Sequence, residues 1–306
     1  MKTLKFGVEI ETVGLAQGAI ARTVAAALGG QMAGETLVRD PQGRTWKVVP
    51  DGSLSGGHNG ELVTPILTYE DIEALQKVVR ALRAAGARTD RSCGLHIHVG
   101  AETFDAAALV RLIKMVHKQE RLIEKALGTQ PARLGRYCQP IEQAVMTRLE
   151  SSPIRTIDDV KTAWYGRSGV VPTRMCQTRY RGLNMNSYFY RKTIEIRAFE
   201  GTMHAGELKG CIQFALALAA KALTSKSASA RRRAYEERSG RYDFRVFLLG
   251  LGFIGDEFAT ARLHLTKRLS GSAAWKSGRP GPLPTSQAEQ TGTTDSSDEG
   301  GTPTDA

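Results

Sequence analysis

Phe6-Gly-Val-Glu9-Ile-Glu11, Gly94-Leu-His96-Ile-His98-Val-Gly100 and Thr193-Ile-Glu195-Ile-Arg197-Ala-Phe199 share one pattern. Each sets two chemically reactive side chains two residues apart among apolar neighbours. Val8 and Ile10, then Leu95, Ile97 and Val99, then Ile194, Ile196 and Ala198 alternate with the polar pairs. Period-two alternation marks a strand with one face in a core. Each polar pair then occupies one face, roughly 7 Å apart along the strand. If the three strands share a sheet, Glu9, Glu11, His96, His98, Glu195 and Arg197 converge on one surface, a set that suits a polyanion held through a divalent metal.

Further strands are expected at Trp46–Val49 and Gly60–Thr64, joined as a hairpin by the turn-rich Asp51–His58, and at Gly182–Tyr188, with Leu183 and Met185 opposite Asn184 and Asn186. Thr68-Tyr-Glu-Asp71 resembles a capping box ahead of Ile72, Leu75, Val78, Val79 and Leu82 at helical spacing, with Gly86 placed to end the helix. Thr103 is expected to cap a helix running to Leu127. Other helices are expected at about 141–150, 156–165, 204–224 and 256–269. Strands and helices mix without a β-α-β rhythm, which predicts an α+β fold with a largely antiparallel sheet.

The chain has 306 residues, 41% hydrophobic and 24% charged, ordinary values for a globular protein. No signal-peptide pattern precedes the first strand. The most apolar stretch, Cys211–Leu223, is interrupted by Gln213 and Lys221 and reads as a buried helix, so a soluble cytoplasmic protein is expected. Four scattered cysteines without C-x-x-C indicate neither a disulfide framework nor a zinc knuckle. The net charge of +11 points to anionic partners: nucleotides, acidic peptides or nucleic acid. Arg174, Arg179, Arg181, Arg191 and Arg197 cluster near the third motif. Arg231–Arg233 read as a solvated surface in which Glu236 and Glu237 pair one helical turn on. From Gly271 the composition turns to Gly, Ser, Thr, Pro, Asp and Glu, and disorder is expected over 271–306.

Each motif alone has a duller reading. An E-x-E strand is commonly a solvated face, H-x-H need not bind metal, E-x-R is often an intrastrand ion pair worth little, and Asn184 and Asn186 can serve backbone groups. The combination, with each pair opposite an apolar stripe, is the evidence. Magnesium needs only one or two carboxylates because it keeps waters, and a guanidinium recognises phosphate bidentately.

The order E-x-E, G-x-H-x-H, E-x-R resembles the glutamine synthetase and glutamate–cysteine ligase superfamily of carboxylate–amine ligases. Phe6–Glu11, Asp51-Gly-Ser53, Glu61-Leu-Val-Thr-Pro65, Cys93–Val99, Leu183-Asn184 and Thr193–Thr202 look most like its "putative amidoligase" branch, over about residues 4 to 225. The resemblance implies a glutamine synthetase-like catalytic domain over 1–225, its antiparallel sheet forming a cleft backed by helices; beyond the resemblance, a helical extension is expected at 226–270. By similarity Glu9, Glu11 and Glu195 ligate magnesium. One of His96 and His98, here assigned as His96, joins them, and His98 contacts ATP. Arg197 holds the γ-phosphate, helped by an upstream arginine for which Arg179, Arg181 and Arg191 compete. Glu61 sits in the cleft as metal ligand, substrate contact or base, with Asp51 and Asn184 shaping it. The implied reaction activates a carboxylate as an acyl phosphate and transfers it to an amine. A class II glutamine amidotransferase is an expected companion.

Two rivals stand beside this reading. One is a zinc hydrolase built on His96 and His98, weakened by the absence of an obvious third histidine. The other is a basic module without catalysis that binds nucleic acid or an acidic protein, for which charge argues and no stacking-aromatic pattern does.

Overall fold

The strand at Phe6–Val13 (β1) is the centre from which the sheet is built. A computed structural model describes residues 1–277 of the chain. After β1 come α1 (Gln17–Leu28), β2 (Gln31–Met32), β3 (Leu37–Arg39), β4 (Thr45–Val49), β5 (Asn59–Val63), α2 (Ile72–Ala84) and β6 (Gly94–Gly100). Next follow α3 (Ala106–Leu127), α4 (Pro131–Arg136), α5 (Gln143–Ser151), α6 (Ile157–Tyr165), β7 (Leu183–Asn184) and α7 (Asn186–Arg191). The described chain is completed by β8 (Thr193–Glu200), α8 (Ala205–Thr224), α9 (Gly240–Gly250) and α10 (Ala259–Thr266). The eight strands form one open sheet in the order β2-β3-β4-β5-β1-β6-β8-β7, and every neighbouring pair is antiparallel.

The alternation seen in the three motifs decides which face is covered. Val8, Ile10, Leu95, Ile97, Val99, Ile194 and Ile196 are buried in the hydrophobic core with the apolar sides of α1, α2, α3 and α8. α8 is buried almost along its whole length, as the Cys211–Leu223 stretch leads one to expect. Among the described residues no helix is long and apolar enough to cross a membrane. Phe244 and Phe247 of α9 pack around Phe214 of α8.

Alternation breaks once, in β8. Ile97 pairs with Ile196, but Leu95 pairs with Phe199, so three steps of β8 face two of β6. This bulge moves Phe199, which strict alternation places on the polar face, into the core against Phe214, 6.3 Å between ring centroids. Its carbonyls are taken up by side chains from the segment after α3. Thr129 Oγ1 donates to Ala198 O at 2.6 Å, Arg133 Nη1 to Phe199 O at 2.6 Å, and Arg133 Nη2 and Cys138 Sγ to Arg197 O at 3.1 and 3.0 Å. Arg133 also pairs with Glu200 at 2.9 Å.

Several expectations change. Only Leu183–Asn184 of the Gly182–Tyr188 stretch is a strand, and the rest turns into α7, with Asn184 Oδ1 accepting from Ser187 N at 3.3 Å. A short polar side chain offering the backbone a local partner ends the ladder. Asp105, not Thr103, caps α3, accepting from Ala108 N at 2.7 Å. The 256–269 helix is a 3-10 turn at Asp256–Phe258 followed by α10. The short strands β2 and β3 and the helices α1, α4 and α9 are additions. Arg232 and Arg233 pair with Glu120 and Asp243 at 2.7 and 2.5 Å rather than with Glu236 and Glu237, because 225–236 is not helical. The Thr68–Asp71 capping box is present, and Asp71 also receives both Nη atoms of Arg44. The expected disordered tail lies, from residue 278 on, outside the described residues.

Removing Arg133 takes a donor from two buried carbonyls and from Glu200, leaving Phe199 O without its side-chain partner. Arg133→Ala is expected to cost about 2–4 kcal/mol of stability, read by chemical denaturation. A loss below about 0.5 kcal/mol, as at a surface position, would show that the bulge does not depend on this residue.

Candidate active site

Register turns three sequence motifs into one surface. Glu9 on β1 lies opposite His96 on β6, His98 opposite Glu195 on β8, Glu11 opposite Glu61 on β5, and Asn184 on β7 opposite Glu195. Directly opposed residues on one face bring their Cβ atoms to about 5 Å, so the motifs touch. Glu9 Oε1 lies 3.1 Å from His98 Nε2 and its Oε2 3.1 Å from His96 Nδ1. Arg197 Nη1 pairs with Glu195 Oε1, whose other oxygen accepts from Asn184 Nδ2 at 2.6 Å. Glu9, His96, Asn184, Glu195 and Arg197 line a cavity of about 420 Å³ on the sheet face, with Asp51, Glu61, Arg174, Arg179, Tyr190 and Arg191, and His98 lies just outside its lining against Glu9.

Of the expected site residues, Glu9, Glu61, His96, His98, Asn184, Glu195, Arg197 and Arg179 are brought together. Glu11 sits one step back: it accepts from Gly94 N at 2.5 Å and faces His96 Nε2 at 3.5 Å. Arg181 is elsewhere. It pairs with Glu142 and stacks 4.5 Å over Trp164, outside the cavity lining. Arg191 is the upstream arginine nearest the motifs, with Nη2 3.3 Å from His98 Nδ1 and 3.9 Å from Glu9. Tyr190 was not anticipated and Arg174 was counted only as charge. A strand reading of 182–188 stops short of α7, which carries Tyr190 and Arg191.

Two groups of ligand atoms lie close enough together for one cation each: Glu9, His98 and Glu195, and Glu9, Glu61 and His96. Glu9 belongs to both. His98 Nε2 is buried and, despite its nearness to Glu9, has no hydrogen-bond partner. Such an orphaned imidazole nitrogen among carboxylates fits a metal ligand. His96 is oriented as metal-binding histidines are, with one nitrogen toward the Glu9–Glu61 pair and the other backed by Glu11. Two carboxylates and one imidazole per group favour a hard divalent cation, magnesium or manganese.

Charge follows the same geometry. Burial raises Glu61, and Glu9, Glu11 and Asp51 raise it further, to about 9. Burial pulls Glu9 upward too, but His98 and His96 outweigh it and hold its carboxyl well below the usual range. Glu195 is likewise lowered, burial being overcome by His98 and Arg197. The Glu195 carboxylate raises Arg197 against the opposing effect of burial. Among the described residues Arg174 and Arg179 have no carboxylate partner, so the cavity offers uncommitted cations beside clustered carboxylates.

Residues 2–219, well over half of the chain, match the family described as "putative amidoligase enzyme". No curated protein matches the chain.

Glu61 also sets a pH dependence. Its folded value, about 9, lies above its ordinary value of 4.5, so the folded protein without metal holds the extra proton. The associated stability is complete below the ordinary carboxylate range and is lost as pH climbs through the folded value. The melting temperature of metal-free protein is therefore expected to fall from pH 5 to pH 9. Magnesium or manganese should reverse the fall, and Glu61→Gln should flatten it. An identical pH profile for wild type and Glu61→Gln would remove Glu61 from the cluster.

Proposed function

The chain belongs to the family of "putative amidoligase enzymes", which are ligases. From that premise we propose an ATP- and magnesium-dependent ligase that joins a carboxylate to an amine through an acyl phosphate. The observation that carries the reading is the pair of metal-fitting groups that share Glu9 at a cavity lined by Arg174, Arg179, Arg191 and Arg197. Side-by-side E-x-E, H-x-H and E-x-R strands on one face of an antiparallel sheet support a glutamine synthetase-like catalytic fold.

In this mechanism Glu9, His98 and Glu195 would hold one divalent ion and Glu9, Glu61 and His96 the other. Bound there, the ions would neutralise phosphate oxygens. Arg197, fixed by Glu195, presents a buried cation where charge grows on the transferring phosphoryl group. Arg191, half-exposed and loosely tied to His98, is free to turn toward a phosphate. An oxygen of the substrate carboxylate attacks the γ-phosphorus and ADP leaves. The amine nitrogen then attacks the acyl carbon, the C–O bond breaks, and phosphate departs with that oxygen. Glu61 or Asp51 takes the amine proton. Arg174 and Arg179 suit the substrate carboxylate.

A second, apolar pocket of about 240 Å³ adjoins the cavity across Glu9 and Arg191, with His98 in its lining. Its lining includes Gly7, Gly100, Val63, Pro65 and Ile66. Glycines on two adjacent strands leave the sheet bare there, which suits a planar base. From Thr193 through Glu195 to Arg197, β8 leads from this pocket past the metal ligands to the arginines. That path of roughly 13 Å matches a nucleotide from base to γ-phosphate. Zinc hydrolysis is less well supported, since each group contains one imidazole and two carboxylates. The substrates would be a small or peptide carboxylate and an amine, with a glutamine amidotransferase as companion.

Isothermal titration with a non-hydrolysable ATP analogue tests the reading. Magnesium-dependent binding is expected, weakened about tenfold or more by Glu195→Gln and by Arg197→Ala. Equal affinity with and without magnesium, or no binding by folded protein, would overturn it.

A further inference from the structure

Net charge of +11 exceeds what the sheet-face cavity consumes, and part of the excess is gathered on the opposite, helical side of the molecule. We propose that the cleft where the C-terminal half of α2, the start of α8 and α10 converge is a second anion site, independent of metal, that takes a small polyphosphate. The cleft has a volume of about 670 Å³ and is lined by Arg80, Arg83, His204, Lys209 and His264 among others, with no carboxylate in its lining.

Three helices supply these groups by simple periodicity. Arg80 and Arg83 lie three residues apart and so share one face of α2. His204 and Lys209 come from the cap and second turn of α8, and His264 from α10. Among the described residues Arg80, Arg83 and Lys209 form no ion pair. Two carboxylates come near and both are committed. Glu207 is held by Arg268 at 2.6 Å, Lys267 at 2.9 Å and Thr202 at 3.2 Å. Glu257 is held by Lys2 at 2.9 Å and Tyr69 at 2.7 Å.

The floor of the cleft is also built. His204 and His264 face each other, 4.6 Å between ring centroids. His204 Nδ1 accepts from Glu207 N at 3.2 Å, so its proton is on Nε2, a donor. His264 Nδ1 is buried without a partner. Gly206 lets them approach: a Cβ there would crowd both rings, 3.0 Å from His264 Nε2 and 3.2 Å from His204 Cε1. Burial holds the His264 pKa below its ordinary value, and the neighbouring cations Lys267 and Arg268 act in the same direction against Glu207. The first turn of α8 adds the positive end of a 20-residue helix. Cations on α2 and α8, with the imidazole of α10 beside them, exceed what a single phosphate group engages, whereas a chain of two or three phosphates spans them.

The test is a titration of the full chain with inorganic pyrophosphate in EDTA and about 150 mM salt, where non-specific attraction is screened. The readout is the Cε1–H resonances of the six histidines, assigned by single substitutions. His204 and His264 are expected to move, with the His264 pKa rising, while His96 and His98 stay fixed. Arg83→Ala combined with Lys209→Ala should weaken the response about tenfold or more with circular dichroism unchanged. Unmoved His204 and His264, or shifts that survive the double substitution, would overturn the proposal. So would an oligonucleotide that binds through the same residues while pyrophosphate gives no response, which would make the cleft a nucleic-acid groove. None of these outcomes depends on the ligase reading, because the ligands of the sheet face are not involved.

Discussion

Four carboxylates, Glu9, Glu11, Glu61 and Glu195, share one largely buried sheet face, and their mutual repulsion is the constraint the surrounding structure answers. Two like charges 4 Å apart repel by about 4 kcal/mol at an effective dielectric of 20. The protein meets this by different means at each position. Glu9 lies between two imidazoles, Glu195 is tied to Arg197 and Asn184, and Glu11 takes the Gly94 amide. Glu61 has no such partner and keeps its proton, with a value of about 9. A carboxylate that stays neutral until a cation arrives is a sensible component of a metal site, since binding then exchanges a proton for a metal.

Holding that cluster in place demands rigidity from the strand that carries Glu195 and Arg197. The β8 bulge supplies a change of parity, so that the polar face ends at Arg197 and Phe199 returns to the core. Three unpaired carbonyls result, and Thr129, Arg133 and Cys138 take them up from behind. Asn184 likewise has two tasks, donating to Glu195 and accepting from Ser187 where β7 turns into α7. That turn delivers Tyr190 and Arg191 to the cavity.

Much of the central sheet was legible because its signal is local. Val8, Ile10, Leu95, Ile97, Ile194 and Ile196 alternate with their polar neighbours, and a period of two admits only one assignment of faces. The Thr68–Asp71 capping box and the apolar spacing of α2 are local too. The two- and three-residue strands β2 and β3 were not legible, being shorter than one readable period, and α1 has too many alanines to show a sharp apolar stripe. Arg181 shows the same limit in the site. By sequence it is one of several arginines before the third motif, and only the packing of Trp164 and Glu142 takes it out of the cavity.

By itself the sequence determined which residues are paired on a strand face: Glu9 with Glu11, His96 with His98, and Glu195 with Arg197. Side-chain direction along a strand follows from backbone geometry two residues at a time. Only the tertiary structure decided their partners. Strand order and register put Glu9 against His96 and Glu61 against Glu11, moved Glu11 behind His96, and selected Arg191 over Arg181. Those outcomes depend on contacts between residues far apart in the chain, which no local period encodes.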